Sequence, residues 1–151
     1  DAIIAAIDVA WGGGDCLAMP ILYVYEGRGY VHDVVFSKGD KTITMPLVEG
    51  KILQHKIQLI RVEGNNGGHM YSDVIDQNIK SAGYFCNITN RMTGSDKSKM
   101  TRMVQYAPEI KQLYFIGDKN AGKEYREFMA EVTSLSVEGK NMMTHQIHWR
   151  C

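Results

Sequence analysis

The stretch from Ile3 to Asp15, Ile-Ile-Ala-Ala-Ile-Asp-Val-Ala-Trp-Gly-Gly-Gly-Asp, constrains the fold more than any other part of the chain. Its apolar, partly β-branched run predicts a strand over Ile3–Ala10, buried on both faces. Asp8 interrupts that run. A carboxylate there is costly unless a cation or hydrogen-bond donors meet it. Gly12, Gly13 and Gly14 then permit a tight turn or the close approach of a ligand or a second backbone, and Asp15 closes the segment. On these residues alone, Asp8 could equally cap a turn and Asp15 could be a plain hairpin residue.

The following segments fit around that strand. Cys16–Tyr25 and Tyr30–Phe36 read as strands joined by the turn Glu26-Gly27-Arg28-Gly29, so the first third is an antiparallel meander. After a polar loop at Lys38–Lys41, Pro46 suits the first turn of a helix reaching His55. Lys56–Val62 reads as a fourth strand, His69–Ser81 as a helix stopped by Gly83, and Tyr84–Ile88 as a fifth strand. Thr89–Ser98 is polar and reads as a loop, Lys99–Tyr106 as a short helix and Gln112–Ile116 as a short strand. After a turn at Gly117–Gly122, Lys123–Leu135 is amphipathic, with Tyr125, Phe128, Met129 and Val132 on one stripe. The expectation is one α/β domain over 1–151, with a mixed sheet flanked by helices.

Charge narrows the function. Seventeen basic and seventeen acidic side chains cancel, so a nucleic acid would have to be met by a local patch or through metal ions. Three widely spaced cysteines, Cys16, Cys86 and Cys151, suggest a reducing compartment and fit neither a disulfide framework nor a zinc knuckle. No apolar run reaches membrane-spanning length. The chain opens on Asp1 rather than Met and enters a strand at once, which gives the expectation of a piece of a longer protein.

Asp8 and Glu63 form the first candidate constellation. Each stands at or near the end of an apolar strand and is followed by glycines. If the two strands are neighbours, the carboxylates converge and suit Mg²⁺ or Mn²⁺, the ions that activate water in phosphodiester cleavage. On spacing alone, Glu63 could equally be a loop residue bonded to the glycine-rich backbone. A second candidate, Gly117-Asp118-Lys119-Asn120-Ala121-Gly122-Lys123, follows the phosphate-loop pattern, but Glu124 stands where a magnesium-holding hydroxyl belongs. That mismatch favours a solvated turn. Arg91, Lys97, Lys99 and Arg102 could clamp a phosphate backbone or form a solvated face. His145 and His148 share a helical spacing but have no acid nearby, so they do not suffice for a metal site.

Ile7-Asp8-Val9-Ala10, Gly-Gly-Gly-Asp15, Val62-Glu63-Gly64-Asn65-Asn66-Gly67-Gly68, Lys97–Met103 and Glu124–Leu135 resemble, in order, the C-terminal nuclease domain of tailed-phage terminase large subunits. The resemblance covers nearly the whole chain, and the Glu-Gly-Asn-Asn-Gly-Gly piece is its most specific part. It implies a ribonuclease H-like fold and a two-ion Mg²⁺ or Mn²⁺ site held by Asp8 and Glu63. Asp15, Asn65, His145 and His148 are supporting candidates. It also implies cleavage of concatemeric double-stranded DNA during genome packaging in the host cytoplasm, at the procapsid. The full protein would add a packaging ATPase domain and meet a small terminase and a portal. The alternatives are a catalytically impaired DNA-binding or assembly module, and another ribonuclease H-like nuclease such as a junction resolvase.

The chain departs from that family at its end. The family closes on an Asp-Asp-x-x-Asp stretch that supplies a third metal ligand, whereas residues 142–151 contain no acid. Met has one codon, so Met142-Met143-Thr144 read two bases later encodes Asp-Asp. The shifted frame permits Tyr-Asp-Asp-Ala-Pro-Asp-Ser-Leu-Ala. The expectation is a frameshifted terminus and a weakened nuclease, and sequencing the source gene tests it. A continuous frame through Met142 with no shifted homologous tail would refute it.

Overall fold

A computed structural model describes residues 1–9, 16–63, 68–91, 112–134, 136–137 and 140–141. Strands β1 (Ala2–Asp8), β2 (Leu17–Tyr25) and β3 (Arg28–Ser37) form the expected antiparallel meander. Helix α1 (Lys41–His55), β4 (Leu59–Glu63), α2 (Gly68–Ser81) and β5 (Asn87–Arg91) follow. The described chain ends with β6 (Tyr114–Phe115), α3 (Lys123–Ser134) and a two-stranded pair, β7 (Ser136–Val137) with β8 (Lys140–Asn141). The main sheet has six strands in the order β5-β4-β1-β2-β3-β6, with β4 parallel to both β1 and β5. This is the α/β mixed sheet, flanked by helices, that the sequence predicts.

Three expectations need correction. Helix α1 starts at Lys41, because Asp40 caps it by accepting from the Thr42 amide at 2.9 Å; Pro46 lies inside the helix rather than in its first turn. Strand β5 covers Asn87–Arg91 and not Tyr84–Ile88. It is an edge strand, exposed at every position but Ile88, so its polar sequence Asn-Ile-Thr-Asn-Arg reads as loop when burial is the guide. Strand β1 is not buried on both faces: Ala5 and Ile7 are buried, while Ala6 and Asp8 between and after them are exposed.

That alternation places two cores. Ile7, Met19, Ile21, Ile60 and Val62 point from the sheet onto Val48 and Ile52 of α1 and Tyr71, Ile75 and Ile79 of α2. On the other face, α3 lays Tyr125 and Met129 against Val31, Val34 and Phe115. The Tyr125 hydroxyl donates to the Val31 carbonyl at 2.7 Å and accepts from the Ile116 amide at 3.0 Å, which ties α3 to β3 and to the residue after β6. The register between β1 and β4 is fixed at their beginnings by Gln58. Its amide donates to the Ile3 carbonyl at 2.9 Å, and its side-chain oxygen accepts from the Ile3 amide at 3.1 Å.

Candidate active site

Strand side chains alternate between faces, so each residue of a paired strand shares its face with its register partner. The parallel pairing sets Asp8 opposite Glu63, and the Val9 amide donates to the Glu63 carbonyl at 3.3 Å. Continuing across the sheet, Asp8 pairs with Ala18, Ala18 with Phe36, and Glu63 with Arg91. One row therefore runs Phe36, Ala18, Asp8, Glu63, Arg91 on the face opposite α1 and α2. At one end Phe36 meets Phe128 of α3 edge to face, with centroids 6.1 Å apart. At the other end Arg91 is exposed, as is Asp8, while Glu63 is half-buried.

The row has a direct sequence cause. Apolar residues at Ala5, Ile7, Ile60 and Val62 hold β1 and β4 onto the core, and the next position outward on each strand carries an acid. Adjacent strands lie about 4.8 Å apart, so the two carboxyl groups share one small patch. Like charges at such a spacing repel unless cations lie between or beside them. Oxygen-only donors of this kind suit a hard divalent ion. Among the described residues, no group of three or more His, Cys, Asp or Glu side chains is placed to hold a metal.

A model of the ribonuclease H-like domain of the bacteriophage T7 terminase matches residues 7–112. The chain belongs to that terminase family. Solved structures agree on the fold. The nuclease domain of the large terminase subunit gp2 of bacterial virus Sf6 superposes with a TM-score of 0.65 at 11% identity, covering 93% of this chain and 74% of that one. Substituted forms of the Sf6 domain were solved with calcium and with manganese. The large terminase of a thermophilic bacteriophage gives a TM-score of 0.55 at 12% identity over 88% of this chain, which spans only 31% of that terminase. The fowlpox virus Holliday junction resolvase gives 0.54 at 12% identity, covering 85% of this chain and 84% of the resolvase. No curated protein sequence matches the chain.

Of the terminase site residues read from the sequence, Asp8, Glu63 and Arg91 are brought into one row. Asp15, Asn65, Lys97, Lys99, Arg102, His145 and His148 lie outside the described residues. The structure adds Arg61, which sequence reading passed over. It is exposed on the same face as Glu63, between Ala6 and Thr89 in the next row. A lone cation between Ile60 and Val62, two positions before Glu63, was the signal that could have found it.

The near phosphate loop carries no such convergence. The Asn120 amide donates to the Gly117 carbonyl at 2.9 Å as an ordinary turn into α3. Two further polar features lie elsewhere. Toward the beginning of β1, His55 bonds the Tyr23 hydroxyl at 2.7 Å and Asp33 at 2.8 Å, and Lys51 joins Asp33 at 2.5 Å. Burial would raise the Asp33 carboxyl, but bonds from Lys51, His55 and the Val34 amide hold it below its ordinary value. This cluster fastens α1 to β2 and β3. Between α2 and β5 lies a polar cavity of about 240 Å³, lined in part by Ser72, Asp76, Cys86 and Asn90. Burial, with Asp76 adding to it, pushes the Cys86 thiol up to about 11, so it is no nucleophile at neutral pH.

Proposed function

We propose that this chain is the metal-dependent endonuclease domain of a phage terminase large subunit, cutting concatemeric double-stranded DNA as genomes are packaged in the host cytoplasm. The register pairing of Asp8 with Glu63 at the ends of two parallel strands carries this reading. The two carboxylates would hold a Mg²⁺ or Mn²⁺ ion. Such an ion supplies an activated water and charge stabilisation at the leaving oxygen.

The chain's own residues do the rest. Asp8 and Glu63 fix where the reacting phosphate must lie, because the core beneath Ile7 and Val62 holds both strands rigidly. Arg91 offsets their negative charge from the β5 side. Phe36 and Phe128 wall the row on the α3 side. Arg91, with Lys97, Lys99 and Arg102 on the segment that follows it, would meet the DNA backbone. A second ion needs another anionic ligand, which the family resemblance assigns to the altered end. In the longer protein, a packaging ATPase domain, a small terminase and a portal are the proposed partners.

The test is cleavage of supercoiled plasmid in Mg²⁺, Mn²⁺ or EDTA, with the chain carrying Tyr-Asp-Asp-Ala-Pro-Asp after Asn141. Asp8→Asn and Glu63→Gln should each lower the rate about a hundredfold or more. Cleavage that survives EDTA or either substitution would refute the reading. The match to the fowlpox resolvase over most of both chains supports a second reading, a junction-cutting nuclease. Preference for a four-way junction over linear duplex would favour it. DNA binding without any cleavage would favour an assembly module.

A further inference from the structure

Arg61 occupies the middle of β4, a strand paired on both edges, by β1 and by β5. Its neighbours Ile60 and Val62 are 0% and 1% exposed and belong to the α1–α2 core. Arg61 is exposed on the opposite face, where the register puts Ala6 on one side and Thr89 on the other. Both neighbours are short, so the long side chain has room to move over them. The next row outward, about 7 Å along the strand, is Asp8, Glu63 and Arg91. The six side chains make a patch of two rows, with two carboxylates and two guanidiniums.

A charged residue at the centre of a sheet is unfavourable for packing, and strand positions of this kind ordinarily carry β-branched or aromatic residues. Neighbouring carboxylates alone do not account for it. Among the described residues, the ion pairs of the chain involve Lys51, His55, Lys80 and Lys123, and Arg61 is in none of them. An anionic ligand laid across the patch does account for it. A phosphodiester must be brought against two carboxylates, and a planar guanidinium on that face offers it two parallel donors.

We propose that Arg61 is a positioning residue that grips a backbone phosphate of the DNA strand laid across Asp8 and Glu63. This rests on the nuclease reading and adds a contact to those proposed for Arg91, Lys97, Lys99 and Arg102. Arg91 stands beside Glu63 in the same row, whereas Arg61 stands one row back on β4. Cations at two different register positions would fix the path of the strand as well as its affinity.

The experiment is fluorescence anisotropy of a labelled duplex between 50 and 200 mM salt in EDTA, where binding is read without cleavage. Loss of one phosphate contact flattens the slope of log affinity against log salt by about 0.9. Arg61→Gln should show that change, and Arg61→Lys, which keeps the charge, should not. If Arg61→Gln melts below the parent, Arg61→Thr, suited to a strand, replaces it. In the chain with the restored end and Mn²⁺, Arg61→Lys should still lose about tenfold in kcat, because a point charge replaces a bidentate hold. A parent slope in the Gln or Thr variant, or full kcat in the Lys variant, overturns the assignment and leaves the nuclease reading intact. Absence of metal-dependent cleavage by the parent with its restored end overturns the nuclease reading, and the salt slope still decides whether Arg61 meets DNA.

Discussion

Replacing Asp8 by Asn should stabilise the domain without metal and destabilise it, relative to the parent, with metal. Asn keeps the size and one carbonyl oxygen, so the change is one of charge. The register puts Asp8 beside Glu63, and unit charges about 5 Å apart repel by about 0.8 kcal/mol in water and about 3 kcal/mol at an effective dielectric of 20. Asp8 is exposed and Glu63 half-buried, which favours the lower figure. Arg61 and Arg91 offset part of it. Relief of that repulsion should contribute about 0.5 kcal/mol in EDTA, equivalent to a rise in Tm of about 1–2 °C for a chain of this size. If the two carboxylates hold the ion as proposed, Mn²⁺ at a hundredfold excess over its Kd should stabilise the parent by about 2.7 kcal/mol, and a variant with one carboxylate should gain little. Thermal melts in EDTA and across a Mn²⁺ series would show the two curves crossing. Equal Mn²⁺ shifts in both proteins, or a loss above about 1 kcal/mol in EDTA, would refute the reasoning and make Asp8 a structural residue.

Tyr125→Phe leaves the Val31 carbonyl and the Ile116 amide without their hydroxyl partner and should cost about 2–4 kcal/mol in urea melts with an unchanged m-value; a loss under about 1 kcal/mol would contradict the tie between α3 and β3. Asp33 has a lowered folded-state value, so its contribution is fully present above the unfolded value of about 3.9 and is lost as pH falls through the folded one. Asp33→Asn should therefore flatten the loss of Tm as pH falls below about 4, and an unchanged acid slope would count against the Lys51–Asp33–His55 cluster. Placing Tyr-Asp-Asp-Ala-Pro-Asp after Asn141 should raise plasmid cleavage about a hundredfold and relax a preference for Mn²⁺ over Mg²⁺; equal activity of the two versions would mean that those acids do not matter.

Strong periodic signals made most of the fold legible. The meander, α2 with its stop at Gly83 and the stripe of α3 each rest on local chemistry, and Gly83 takes the left-handed conformation at φ +82° that a helix stop requires. Strand β5 is not legible in the sequence because sheet pairing overrides side-chain polarity at an exposed edge. The start of α1 differs from the expected one because a capping Asp40 outweighs a proline further along. Asp8 and Glu63 stood out as acids ending apolar runs. Arg61 did not, because nothing in a single strand tells which face a sheet will leave for a ligand until its neighbours are known.

The Gln58 clamp at the start of β4 acts as a molecular ruler. It pins that strand to Ile3, and the chain then counts residue by residue to Glu63. Because side chains alternate, inserting or deleting one residue between Gln58 and Glu63 would turn the acid into the core and bring Val62 out in its place. The same holds between Ile3 and Asp8. Substitutions can accumulate along these strands as far as size and polarity allow, yet their lengths cannot drift by a single step.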